Sequence, residues 1–169
     1  MVKLYRYVGP EAIRRRTGGA PSGWAVESVK DLLSWAISTG QEPNQEGAVA
    51  VTFVVDEQGC LLVADRSSEH VACAGGRPVQ SAGELFLLLT SSGAEVVDVT
   101  NQSTGFCPEP ESWPAVANAL DRMGIGHPGR FTSEIVFRQC PGCGQQNIVK
   151  DGGFVCGVCG AELPRAWNF

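Results

Sequence analysis

"AVAVTFVVDEQGCLLVAD", residues 48–65, reads as a β-hairpin. Two runs of aliphatic and β-branched residues flank a short polar connection that ends in Gly59, and such a break between apolar runs turns a chain back on itself. Upstream, "VKDLLSWAIS" reads as a helix. Ser28 stands at its N-cap, Asp31 holds the capping-box position three residues on, and Val29, Leu32, Leu33 and Ala36 form one apolar face. "KLYRYVG" reads as a short strand, while "RRRTGGAPSGW" and "GQEPNQEG" read as loops. Downstream come a glycine-rich loop, "RSSEHVACAGGRP", and then "VQSAGELFLLL". The latter is expected to be a helix, although its last four residues would also suit a strand. "AEVVDVTNQ" reads as a strand, "ESWPAVANALDRM" as a helix with Pro114 in its first turn, and "FTSEIVFRQC" as a final strand. Helices and strands interleave around a tight hairpin. This pattern predicts an α+β fold, a mixed or antiparallel sheet with packed helices.

The C-terminal part has its own logic. In "CPGCGQQNIVKDGGFVCGVCG", residues 140–160, Cys140/Cys143 and Cys156/Cys159 form two identical C-x2-C pairs. Two such pairs offer four thiolates to a tetrahedral ion. Gly144 and Gly160 follow the second cysteine of each pair, where positive φ lets the backbone turn its amides toward sulfur. "NIVKDGGFVC" reads as strand, turn and strand, with Asp151 and Gly152 at the tip. Residues 138 to about 163 resemble a zinc ribbon with rubredoxin-type knuckles. The resemblance implies a structural Zn2+ held by Cys140, Cys143, Cys156 and Cys159, with iron as the chemical rival. Four cysteines fill all four positions, whereas catalytic zinc usually keeps one open for water. The expected division is an α+β domain over residues 1–137 and a ribbon with its tail over 138–169, joined through a shared strand. From "TFVVD" onward the chain resembles uncharacterised bacterial proteins that end in a four-cysteine ribbon, which implies no activity.

Composition narrows the partners. The 169 residues carry a net charge of −5 and a pI of about 5.0, and the acidity lies almost wholly in residues 1–137. That disfavours nucleic acid and anionic membrane surfaces. No run approaches the roughly 18 apolar residues of a spanning helix. "MVKLYRYVGPEAIRRR" has no apolar signal core, so a cytoplasmic setting is expected, with Cys60, Cys73 and Cys107 as free thiols.

Three polar clusters are candidates for chemistry. "SSEHVACAGG" puts Glu69, His70 and Cys73 within five residues, and "TNQSTGFCP" puts Asn101, Gln102, Ser103 and Thr104 just where a strand stops. Glu84 stands alone on the presumed apolar helix of "SAGELF". A hairpin, a helix bearing glutamate, a strand and a helix near a cysteine form an order similar to that of the zinc-dependent nucleobase deaminases. Their signature pairs H-x-E with P-C-x-x-C. Here Ala82 occupies the histidine position, and Cys107 has no second cysteine three residues on. The candidate ligand-binding residues are Glu69, His70, Glu84, Asn101 and Ser103. The two loops are expected to meet at one end of the sheet and to recognise a peptide or protein partner without catalysis. The alternative is a small-molecule enzyme, distantly deaminase-like, using loops 67–76 and 101–107; a nucleic-acid-binding ribbon protein ranks third. In the tail "ELPRAWNF", Leu163, Trp167 and Phe169 must pack back or meet a partner.

Overall fold

The hairpin is the centre of the molecule. The computed structural model describes residues 1–169. Its elements are α1 (Glu11–Arg14), β1 (Trp24–Val26), α2 (Val29–Ser38), β2 (Val49–Val55), β3 (Leu61–Asp65), α3 (His70–Cys73), β4 (Ser81–Thr90), β5 (Gly93–Thr100), α4 (Trp113–Arg122), β6 (Val136–Gln139) and β7 (Gln146–Val149). Five strands form one antiparallel sheet in the order β1-β3-β2-β4-β5, and β6 pairs with β7 in a separate two-stranded sheet. The fold is α+β. No helix is long and apolar enough to cross a membrane.

Local chemistry explains the elements. In the β2–β3 turn, the Asp56 carboxylate accepts from the amides of Gln58 and Cys60 at 2.9 and 2.8 Å, and Gly59 takes φ 81°. The side chain thus does the work of a backbone turn. At α2, Ser28 Oγ accepts from the Asp31 amide at 3.1 Å. The Asp31 carboxylate reaches back to the amide of Glu27, one residue before the capping-box position.

Strand alternation splits the apolar residues between two faces. Val51, Phe53, Val55, Leu61, Val63, Leu85 and Leu87 face α2 and α4. A bulge at Phe86/Leu87 lets Val96 and Val99 join that same face despite their odd spacing. Val54, Leu62, Ala64 and Ala82 point the other way. There they meet Tyr5, Val71, Cys73, Val79 and Phe106, with Trp167 packed against the cluster. The second face is therefore covered by α3 and by irregular chain, not by long helices.

Several sequence-based expectations fail here. "VQSAGELFLLL" is not a helix; most of it is β4, the strand between β2 and β5. Phe86 and Leu88 on its half-buried face are as apolar as Leu85 and Leu87 on its buried face, so the run loses the sequence alternation that identifies strands. Glu84 accordingly sits on a strand, which removes the helix-with-glutamate order that resembled the deaminases. "KLYRYVG" is not a strand, since Tyr5 makes only an isolated bridge to Val79. "FTSEIVFRQC" does not extend the main sheet: β6 pairs with β7 alone, and a single bridge from Ser133 to Thr100 links the segment back. The short β1 and α1 went unseen because three or four residues carry no readable period.

Gly83 in β4 is sterically required. A Cβ there would overlap the carbonyl oxygen of Thr100, where the chain leaves β5 across the strand. Gly83→Ala is expected to destabilise the protein by about 3 kcal/mol, the upper end of overpacking costs, because the obstacle is backbone. Gly18→Ala, with open space around its Cβ, should change stability by less than about 0.5 kcal/mol. Denaturant midpoints of the two variants check this, and equal midpoints would refute the steric argument.

Candidate functional site

Two sites emerge. The first is the cysteine cluster. Its two knuckles repeat one backbone pattern: the Cys140 amide donates to Gln145 O and the Gly144 amide to Cys140 O, while the Cys156 amide donates to Ala161 O and the Gly160 amide to Cys156 O. Gly144 and Gly160 close these turns at φ 75° and 74°. The four sulfurs lie within 4.8 Å of one another, and two of the separations are 3.5 and 3.7 Å. Thiolates bound at about 2.3 Å in a tetrahedron would lie about 3.8 Å apart. No cysteine is in a disulfide.

Electrostatics at the cluster point the same way. The Cys143 amide holds the Cys140 thiol below its ordinary value. The amides of Cys159 and Val158 bring Cys156 down to about 6. At Cys143 the Gln145 amide favours the thiolate, but desolvation and the three neighbouring sulfurs together outweigh it and move the thiol up to about 12. Four thiolates this close repel one another, and a cation removes the repulsion. The residues fit one metal ion and would fill a tetrahedral coordination sphere.

The cysteine hairpin and its tail are fastened to the rest of the molecule. The Arg138 guanidinium is buried and donates to the carbonyls of Phe137, Pro164 and Arg165. Trp167 stacks edge-on against Tyr5 at 5.5 Å, and its indole N–H donates to Cys107 O at 2.8 Å. Gln146 Nε2 donates to Thr104 O at 2.9 Å and contacts Cys107 Sγ. The tail therefore packs back on the chain. Cys107 is buried with φ 47°, and burial pushes its thiol up to about 12. Cys73 is raised to about 12 by the same cause. Neither is a ready nucleophile.

The second site is a polar cleft of about 400 Å³ on the second sheet face. Thr52, Glu84 and Thr100 are successive partners across β2, β4 and β5. This polar row begins where the apolar layer ends. Residues 66–70 line one side of the cleft and 102–104 the other, with Thr52 and Glu84 contributed by the sheet. None of the lining residues is apolar.

Four of the sequence candidates, Glu69, His70, Glu84 and Ser103, line this one cleft. Asn101 does not. Its side chain is fully buried, donating to Pro108 O and Ile135 O and accepting from the Ile135 amide, so it organises backbone and offers nothing to a ligand. Arg66 and Thr52 were missed. A lone hydroxyl inside "AVAVTFVVD" was the available signal for Thr52; Arg66 gave none beyond its place at the end of β3.

The bonding within the cleft is specific. His70 Nε2 lies 2.9 Å from Gly83 O. A carbonyl only accepts, so Nε2 carries the proton and Nδ1 of the neutral ring is left as an acceptor. Burial lowers the His70 pKa, against the opposing effects of that bond and of Glu84 and Glu69. Arg66 Nε donates to Glu84 at 3.1 Å. Glu69 is exposed and makes no ion pair. Ser103 Oγ is buried without any hydrogen-bond partner, at a residue only 1% exposed. Ser103 and His70 are not hydrogen-bonded to each other, so no nucleophile–base pair is assembled.

No family model, no curated protein and no solved structure matches this chain. Two outcomes follow from the geometry. Reduced protein is expected to carry one metal ion per chain, and Cys140→Ser none, by elemental analysis. The variant should also melt at lower temperature, because Gln146 and Trp167 tie the hairpin to residues 104 and 107; unchanged melting of the sheet would refute the coupling. For His70 the folded pKa lies below the ordinary 6.5, so the unfolded chain takes up the proton first. Its contribution is full above 6.5 and is lost as pH falls through and below that value. His70→Gln should therefore lose less stability than wild type between about pH 7.5 and 5.5, and parallel losses would refute the assignment.

Proposed function

We propose that this chain is a recognition protein without enzymatic activity. An α+β domain of residues 1–137 presents the cleft to a polar segment of a peptide or protein partner. A zinc ribbon over residues 138–169 acts as a structural brace in a reducing, cytoplasmic setting. Zinc is favoured because a closed set of four thiolates suits a redox-inert ion that prefers a tetrahedron.

The observation that carries the reading is Ser103. A buried hydroxyl with no partner costs roughly 1–3 kcal/mol, and such a group in a native structure needs a reason. Here the reason lies in the cleft it lines: a bound partner would supply the missing hydrogen bond. Binding is favoured over catalysis because no base is hydrogen-bonded to Ser103 and the four cysteines would fill the coordination positions of a metal ion elsewhere.

Ser103→Ala separates the roles. It is expected to stabilise the free protein by about 1 kcal/mol by removing an unpaired polar group, and to weaken partner binding. A serine with a purely structural role would destabilise on the same change. Shift mapping with polar peptides should move the amides of residues 66–70 and 102–104. Perturbations confined to the apolar groove lined by Leu33, Ile37 and Leu89 would overturn the reading, as would turnover of any substrate abolished by His70→Ala.

A further inference from the structure

We infer that the cleft binds its ligand through a primary ammonium group, seated among Glu69, Glu84 and Ser103. The inference rests on the recognition reading above and names the chemistry that the cleft selects.

Charge comes first. The lining holds two carboxylates, Glu69 and Glu84, and one guanidinium, Arg66. The guanidinium is already engaged with Glu84 at 3.1 Å. Glu69 has no cationic partner, and the field of both carboxylates reaches His70. An incoming anion would meet this excess of negative charge with only a shared arginine to receive it. A cation would complete the cleft.

Hydrogen-bond capacity comes second. The His70 ring offers Nδ1 as an acceptor, because its one N–H goes to Gly83 O. Thr52 Oγ1 donates to Arg66 O at 3.2 Å, which leaves its oxygen free to accept. Glu84 has one carboxylate oxygen outside the arginine contact, and Ser103 Oγ is unpartnered. This is an acceptor-rich wall. An ammonium brings three donors and a positive charge to it.

The rival classes fit less well. A bare metal ion needs ligand atoms that converge, and the one set of His, Cys, Asp or Glu donors close enough to share an ion is the four cysteines. A nucleobase or other aromatic ring would need a free stacking surface, and the only planar cations or rings in the lining, Arg66 and His70, are already engaged with Glu84 and Gly83 O. The ligand is therefore small and hydrophilic around its amine. The free N-terminus of a polar peptide and an amino sugar share this chemistry.

The test uses the metal-loaded full chain, 15N-labelled, and two matched pairs of probes. One pair is a Ser-Gly-Gly peptide with its amino end free or acetylated, and the other is glucosamine or N-acetylglucosamine. Each pair differs only in the ammonium. The free-amine member of at least one pair is expected to shift the amides of residues 66–70 and 102–104. It should bind about tenfold more tightly than its acetylated form, with the gap narrowing at high salt. The pair that responds identifies the source. Glu69→Gln, at an exposed position, should remove most of that tenfold preference while leaving the fold intact. Equal binding of acetylated and free forms would overturn the ammonium assignment and leave the recognition cleft standing. No cleft shifts with either amine at about 10 mM would also overturn it, because useful recognition would then be weaker than millimolar. Shifts outside the cleft, together with a destabilising Ser103→Ala, would take down both readings.

Discussion

A single buried amide holds the cleft end of the molecule together. Asn101 follows directly on β5 and bonds to Ile135 through both its donor and its acceptor, and to Pro108 as well. Those three bonds stop the chain from continuing as a strand and stitch the segment that leads into β6 against it. The loop between can then close on itself, with the Cys107 amide donating to Ser103 O at 2.7 Å and Cys107 adopting its left-handed backbone. Ser103 and Thr104 are thereby turned toward the cleft, the Thr104 carbonyl toward Gln146 of the cysteine hairpin and the Cys107 carbonyl toward Trp167 of the tail. Removing the amide would leave buried backbone groups unpaired, which is costlier than the loss of any surface contact.

The cysteines show one side chain with opposite fates. Cys73 and Cys107 are buried and their thiols stay protonated, whereas amides aimed at sulfur draw Cys140 and Cys156 toward thiolate. Position in the fold, not residue type, separates inert filler from ligand. The molecule divides its chemistry accordingly. Four sulfurs at one place could hold a metal ion, and an open oxygen-rich cleft at another is left with unmet bonding capacity.

What could be read from sequence was whatever depends on near neighbours. The Ser28 cap, the Asp56-to-Gly59 turn, the helix opened by Pro114 and the paired cysteines each declare themselves within a few residues. β4 did not, because apolar Phe86 and Leu88 on its half-buried face erase the alternation that marks a strand, and Glu and Leu suit a helix just as well. The meeting of Glu69 and His70 with Ser103 was an expectation of position that needed strand directions, which spacing does not encode. Asn101 looked like a ligand contact for the same reason that Ser103 did, as a polar residue just past a strand. Only burial and partners separate them: one has every bond satisfied and the other has none. The row of Thr52, Glu84 and Thr100 is invisible along the chain because its members come from three different strands.

The two faces of the sheet are closed in different ways. One is sealed by two ten-residue helices over a continuous cluster of 19 buried residues. The other is sealed by the N-terminal segment, the single turn of α3, the loop after β5 and the tail, joined by contacts such as Tyr5 with Trp167 that span nearly the whole chain. Contacts of that kind close long loops and gather little local cooperativity. The second layer is thus fastened to the hairpin residues Val54, Leu62 and Ala64 by segments distant in sequence, and its amides are expected to exchange with solvent before those of the strand ladders and the helical side.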